Sequence, residues 1–410
     1  MLHAPCTGPP GVNLAVPSPL TDHLKALDDR HAQFVPQAVE LIVTAAVEQR
    51  VSDIHFIPGP DELRIDFRRD GVLQQAATLP PRLAPNFVAR LKVLADLLTY
   101  RVDVPQEGRL RQSSSETDMR LSTFPTIFGE KAVVRIFIGS GRYLLPDDLG
   151  LPDDVAHGLE RALHETSGVL LLAGPAGSGK TTTAYACLRQ LQQRFAHSKS
   201  LVTLEDPVEA VLPGIVQSAV QPANGFDYAT GLKSLLRQDP DVLLVGEIRD
   251  PVTASTVFQA GLTGHLVLTT FHAGSTTEAI RRLRDLGVEP YLLRSGLLAI
   301  LCQRLVRKLC DCAVWSDTAA AELGLTVPRS RIPQSCALCG GSGYLGRLLL
   351  VEALQEQLRT AISAILSEAD SGQPLLNQPE LTTFEARALA ALNQGLTSAA
   401  EIRRVLGFRV

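Results

Sequence analysis

No stretch of about 18 or more apolar residues, the length a membrane-spanning helix needs, occurs in the 410-residue chain. The best run, GLLAILC from Gly296 to Cys302, is short and flanked by Arg294 and Arg304. The amino terminus, MLHAPCTGPPGVNLAVPSPL, lacks the basic start and sustained apolar core of a secretory signal. Both absences predict a cytoplasmic protein that associates peripherally with an inner membrane, if at all, through partners. A charge excess is missing too. The 39 basic and 43 acidic residues leave a net charge of −4, without the broad basic field on which nonspecific nucleic-acid binding relies. Nor is there a regular cysteine framework: of seven cysteines, Cys6, Cys187 and Cys302 stand singly, which fits a reducing compartment.

The other four cysteines form two close pairs, Cys310 with Cys312 in LCDC and Cys336 with Cys339 in CALC. Two pairs held apart by a loop are the usual sequence form of a structural zinc site, because each tight turn offers two thiolates. A reducing setting favours metal over disulfides. The first pair is C-x-C, one residue short of the C-x-x-C that suits a tetrahedral knuckle, so the spacing predicts a strained clasp or one with a substitute ligand.

A chain of this length is expected to hold two or three domains. Residues 1–35, rich in Pro, Gly and small polar residues, read as a flexible lead-in. Residues 36–141 read as an α+β unit. It has a helix around Ala38 to Gln49 and a strand in which Leu63, Ile65 and Phe67 alternate with Arg64, Asp66 and Arg68. A two-residue turn follows at Asp70-Gly71, then Leu83, Phe87, Leu91, Leu94 and Leu98 at helical spacing, and a strand pair carrying MRLS and AVVRIF. Residues 142–155 have the Pro and acidic content of a linker. Over 156–305 the apolar runs GVLLLAG, LVTLED, DVLLVGE and GHLVLTT alternate with helical stretches, which predicts an α/β fold with a mostly parallel sheet covered on both faces. The cysteine segment, 306–347, and a helical piece, 348–410, come last. In that piece Ser398 and Glu401 read as an S-x-x-E capping box.

GPAGSGKT, from Gly174 to Thr181, is a full G-x-x-x-x-G-K-[ST] phosphate loop between the strand VLLLA and the helical stretch TTAYACLRQL. Backbone N–H groups of Gly174, Pro175's successors Ala176 and Gly177, Ser178 and Gly179 can turn around phosphate oxygens of ATP, aided by the helix N-terminus that Thr182 continues. Lys180 is expected on the β- and γ-phosphates and the Thr181 hydroxyl on Mg²⁺. The strand DVLLVGE ends in Gly246-Glu247, where many phosphate-loop proteins place an Asp, and TLEDPVE supplies Glu205, Asp206 and Glu209. Glu205 is read as the base that activates water and Glu247 as the Walker B acid, although their order in sequence permits the exchange. Asp206 and Glu209 fit helix capping or surface charge nearly as well. In GHLVLTTFH, His272 suits a contact to the γ-phosphate or water, whereas His265 is as readily a turn histidine. Arg237 and Arg249 are candidates for phosphate contact or for ion pairing.

The blocks GPAGSGKTTTAYA, TLEDPVE, LLRQDPDVLLVGEIRD and GLTGHLVLTTFHAGS together resemble the Walker A, aspartate box, Walker B and histidine box of the type II secretion and type IV pilus assembly ATPase family. SDIHFIPG, RRDGVL, PQEGRL and LSTFPTIFGEKAVVRIF resemble its second N-terminal domain, and CQRLVRKLC with CALCGGSGYLGR its tetracysteine segment. The resemblance implies a PAS-like domain before a RecA-like ATPase domain and a small zinc-binding and helical subdomain after it. It also implies a homohexamer with ATP between subunits, Zn²⁺ on the four cysteines, and motion passed to an inner-membrane platform protein. Arg109, Arg120 and Arg135 would complete the nucleotide site. A membrane-anchored docking protein is a further implied partner, yet the 35 leading residues are too few for the extra domain that often meets it. GYLGRLLLVEAL lacks the family's usual Arg, Thr and Gly run, which predicts a shortened last subdomain. Rival readings are a retraction ATPase, disfavoured by the tetracysteine segment, a nucleic-acid motor, disfavoured by composition, and a ring component that does not hydrolyse nucleotide.

Overall fold

A computed structural model of the chain describes residues 19–110, 118–137, 144–196, 198–355, 358–371 and 382–407. Two compact units divide it, the first of Met1–Gly139 with Cys336–Gly341 and the second of Ser140–Ser335 with Ser342–Val410.

The first unit runs α1 (Pro19–Lys25), α2 (Phe34–Glu48), β1 (Asp53–Pro58), β2 (Leu63–Arg69), β3 (Val72–Leu79), α3 (Ala84–Leu94), β4 (Gln106–Leu110), β5 (Asp118–Thr126) and β6 (Gly129–Phe137). Its strands form an antiparallel sheet in the order β3-β2-β1-β6-β5-β4. Strand alternation puts Ile54, Phe56, Ile65, Phe67, Leu121 and Val134 in one core with Ile42 of α2 and Phe87 and Leu91 of α3. The expected β2–β3 turn forms with positive φ at both Asp70 and Gly71, as a primed two-residue hairpin requires. Two details differ from the sequence reading. Within the expected loose lead-in, α1 buries Leu20 and Leu24 in this core. Leu98 lies past the end of α3 and is half exposed, because the helix stops at Leu94 and Asp96 takes a left-handed φ of 54°.

The second unit begins with α4 (Asp153–His164), β7 (Gly168–Ala173), α5 (Lys180–Phe195), β8 (Leu201–Glu205), β9 (Val216–Ala219), α6 (Tyr228–Leu235), β10 (Val242–Val245), α7 (Pro251–Leu262) and β11 (Leu266–Phe271). It continues through α8 (Thr276–Asp285), α9 (Pro290–Gly296), β12 (Leu297–Leu309), the hairpin β13 (Val314–Ser316) and β14 (Ser330–Ile332), β15 (Tyr344–Leu354), α10 (Leu358–Ser371), α11 (Phe384–Asn393) and α12 (Ala399–Leu406). Seven strands form one sheet, β15-β12-β7-β11-β10-β8-β9, parallel throughout except for the β12–β15 pair. β7 is buried along its whole length: Val169, Leu171 and Ala173 enter one core, Leu170 and Leu172 the other with Leu159, Leu188 and Leu191. Burial on both faces is why GVLLLA reads as an unbroken apolar run.

The sheet also crosses the boundaries drawn at 305 and 347. β12 continues to Leu309, and β15 returns beside it, so residues 344–354 join the sheet ahead of the last helices. At α12 the expected cap forms by half. The Glu401 N–H donates to Ser398 Oγ at 3.1 Å, but the Glu401 carboxylate turns to Arg307 of β12 and Arg404.

Candidate functional site

Parallel strands leave a crevice outside their carboxyl ends, and here β7, β8, β10 and β11 all end on that edge. The loop from Gly174 to Gly179 joins β7 to α5. A Cβ at Gly174 would come within 2.6 Å of the Gln303 carbonyl of β12, and Gly179 enters α5 at φ 94°, so both positions suit glycine alone. Lys180 is buried, and its Nζ donates to the carbonyls of Gly174 and Pro175, each at 2.8 Å. Burial pulls its pKa below the ordinary lysine value against the attraction of Glu247, Cys302 and Glu209. Ser178 Oγ is buried with no hydrogen-bond partner among the described residues. Pro175, Ala176 and Gly177 make an exposed crest, and Thr181 and Thr182 sit half-buried in the first turn of α5. A buried ammonium held on the loop's own carbonyls, an unpaired hydroxyl and a helix N-terminus fit the phosphates of a nucleotide.

The carboxylates occupy different surroundings. Glu205, 3% exposed at the end of β8, accepts hydrogen bonds from Tyr185 Oη at 2.5 Å, Thr203 Oγ1 at 2.5 Å and Gln217 Nε2 at 3.2 Å. Glu247 accepts from Arg249 Nε at 2.7 Å and lies 3.1 Å from His272 Nε2 at the end of β11. Arg249 bonds Asp206 as well, at 2.9 Å, which makes it an ion-pair residue in this arrangement. Glu209 accepts the Thr181 hydroxyl at 3.1 Å. A cleft of about 370 Å³ opens beside these groups, lined by Glu247, Arg249, His272 and Arg282 among others. The sequence reading missed Tyr185, Thr203 and Gln217. Tyr185 lies on the buried face of α5 beside Ala184 and Leu188, and burial, then the Glu205 charge, pushes its phenol far up.

His265 stands at the opposite end of β11, its Nδ1 3.1 Å from the Ala260 carbonyl at the end of α7, a turn position. Arg237 is exposed and donates to Ser234 Oγ at 3.3 Å. In the first unit, Arg109, Arg120 and Arg135 are direct cross-strand neighbours on β4, β5 and β6, with Asp53 and Arg68 extending the row. Arg135 Nε donates to Asp53 Oδ1 at 2.9 Å.

The four thiols of Cys310, Cys312, Cys336 and Cys339 lie within 4.8 Å of one another, with Cys310 and Cys339 buried. Tetrahedral zinc with sulfur ligands at about 2.3 Å spaces them by roughly 3.8 Å, so four thiols this close are a donor set that suits that ion.

Over residues 28–404 the sequence matches the family described as Type II/IV secretion system protein. The chain belongs to this family. Type II secretion system protein E of Dickeya dadantii is 38% identical over 395 residues, 94% of this chain and 78% of the relative. Type II secretion system ATPase E of Vibrio cholerae is 37% identical over 401 residues, 94% of this chain and 77% of the relative. The type IV pilus assembly ATPase PilB of Thermus thermophilus is 35% identical over 401 residues, 94% of this chain but 44% of the relative. Among solved structures, the ATPase DotB of Legionella pneumophila superposes with a TM-score of 0.63 at 19% identity, over 92% of this chain and 97% of that one. The pilus retraction motor PilT with bound ADP gives 0.57 at 23% identity, over 89% and 96%. These structural matches establish that this type II/IV secretion system protein shares its fold with those ATPases.

Proposed function

We propose that the protein is an ATP-hydrolysing motor of a type II secretion or type IV pilus assembly machine. The observation that carries this reading is the phosphate loop, with Lys180 buried on its own carbonyls and Thr181 beside a carboxylate, in a chain whose relatives are secretion and pilus ATPases. On binding ATP, the Lys180 ammonium exchanges the Gly174 and Pro175 carbonyls for β- and γ-phosphate oxygens. The Thr181 hydroxyl would help hold Mg²⁺, which would supply neutralisation of phosphate charge when bound. Glu247 and Glu205 divide the water side. Glu205 is proposed as the base, which must release one of its three donors to take a proton, while Glu247 is the Walker B acid and His272 the contact to the γ-phosphate or water. Arg109, Arg120 and Arg135 are proposed to supply cations to the transferred phosphate during the cycle. The working unit is proposed to be a homohexamer acting on an inner-membrane platform protein, with Zn²⁺ held by the four cysteines.

Turnover of ATP by purified protein, compared with Lys180→Ala, tests the reading. Wild-type hydrolysis that depends on Mg²⁺ and falls by at least about 100-fold in the variant is expected. A folded protein that binds ATP and hydrolyses none would refute it.

A further inference from the structure

DVLLVGE carries Gly246 and Glu247 where many phosphate-loop proteins place the aspartate that faces the metal. Glu247 does not fill that place through Thr181: its two oxygens face Arg249 and His272. Asp206 is tied to Arg249, and Glu205 to Tyr185, Thr203 and Gln217. The carboxylate bonded to the Thr181 hydroxyl is Glu209, at 3.1 Å, from the loop after β8. We propose that Glu209 serves beside the Walker B acid Glu247, not in its place: it accepts the Thr181 O–H, so orients that oxygen as a cation ligand, and adds negative charge beside it. A group that orients a metal ligand in this way strengthens it without touching the ion.

The loop is built to hold Glu209 in place. The Tyr185 hydroxyl accepts the Glu209 N–H at 3.2 Å while donating to Glu205. Gln217 of β9 donates to the Ala210 carbonyl at 3.0 Å and accepts the Leu212 N–H at 2.6 Å. Glu209 is thus a positioning residue acting through Thr181.

The inference rests on the nucleotide-site reading above, and the test separates the two. Binding of a fluorescent ADP analogue to the full chain is measured in EDTA and with Mn²⁺ standing for Mg²⁺, and Mn²⁺ occupancy is followed by electron paramagnetic resonance. Glu209→Ala is expected to bind nucleotide in EDTA within about twofold of wild type, while its half-saturating Mn²⁺ rises by about 10–100-fold. Glu209→Gln, which keeps an acceptor and loses the charge, recovers part of that affinity. Glu209→Ala added to Thr181→Ala costs nothing further. Unchanged Mn²⁺ affinity in Glu209→Ala, or equal weakening with and without metal, overturns the inference and leaves the nucleotide site standing. Wild type that binds no nucleotide overturns both.

Discussion

Glu401 carries a heavy polar load outside the nucleotide site, and replacing it by Gln gives a measurable loss of stability. Its side chain is fully buried and accepts five N–H donors: Arg307 N, Nε and Nη2 at 2.9, 2.9 and 2.8 Å, and Arg404 Nε and Nη2 at 2.8 and 2.6 Å. The Gln side chain keeps the volume but turns an NH₂ group toward these donors and leaves the Arg307 guanidinium, 15% exposed, without its counter-charge. Breaking a buried pair from one side costs about 3–5 kcal/mol. Arg404 is 42% exposed, so its share is screened and adds about 0–1 kcal/mol. The lower end, about 3 kcal/mol, is therefore expected, and at roughly 2–4 °C per kcal/mol for a unit of this size the melting temperature falls by about 6–12 °C. Differential scanning calorimetry at neutral pH measures it, and a fall under about 2 °C would refute the reasoning.

The same pair sets a pH dependence. Desolvation alone would push the Glu401 carboxyl up, but the hydrogen bonds from Arg404 and Arg307 outweigh it and hold the pKa below the ordinary value. A carboxylate depressed in the folded state stabilises above its unfolded pKa, and that stabilisation is lost as pH falls through the folded value. The gap between wild type and Glu401→Gln is then full at neutral pH and closes below about pH 4.

Metal analysis of the purified protein is expected to find about one zinc per chain, with loss of the ion and a lower melting temperature in Cys339→Ser; less than about half a zinc would count against the clasp. Tyr185→Phe keeps the buried ring and removes only the hydroxyl that holds Glu205 and the Glu209 N–H. ATPase assays should show kcat lower by about tenfold with the nucleotide KM within about twofold, and an unchanged kcat would make Tyr185 a packing residue alone.

Legibility in the sequence followed the reach of the interaction. The apolar run of β7, the alternation of β2 and the Asp70-Gly71 turn are written within a few residues, because burial on two faces, burial on one, and positive φ each select residue types locally. The phosphate loop is equally local. By contrast, Tyr185 meets Glu205 across 20 residues and Arg307 meets Glu401 across 94, and neither tyrosine on a helix nor arginine on a strand announces its partner. The S-x-x-E motif at Ser398 even pointed Glu401 to the wrong acceptor task, since five arginine and backbone donors outcompete one helix-end N–H. The C-x-C pair is a further case: spacing predicts strain, while convergence of all four thiols depends on how residues 313–335 fold back.

The two carboxylates proposed for the water side can be compared by what each must give up. Glu247 is partly open, with 17% of its side chain exposed on the cleft, and its partners Arg249 and His272 are themselves exposed. Glu205 is closed, and a base must present a lone pair to water. Of its three donors, Gln217 is the longest at 3.2 Å and sits on β9, the edge strand, whereas Tyr185 and Thr203 belong to buried elements at 2.5 Å. Release of Gln217 is therefore the least costly opening, and it leaves Thr203 Oγ1 as the remaining donor to Glu205 Oε1. Because Gln217 also bonds the Ala210 carbonyl and the Leu212 N–H, that opening loosens the loop that presents Glu209 to Thr181. One short segment, Asp206 to Gln217, thus links Glu205, the proposed base, to Glu209, the proposed positioning residue for Thr181, so a shift of the edge strand would act on both together.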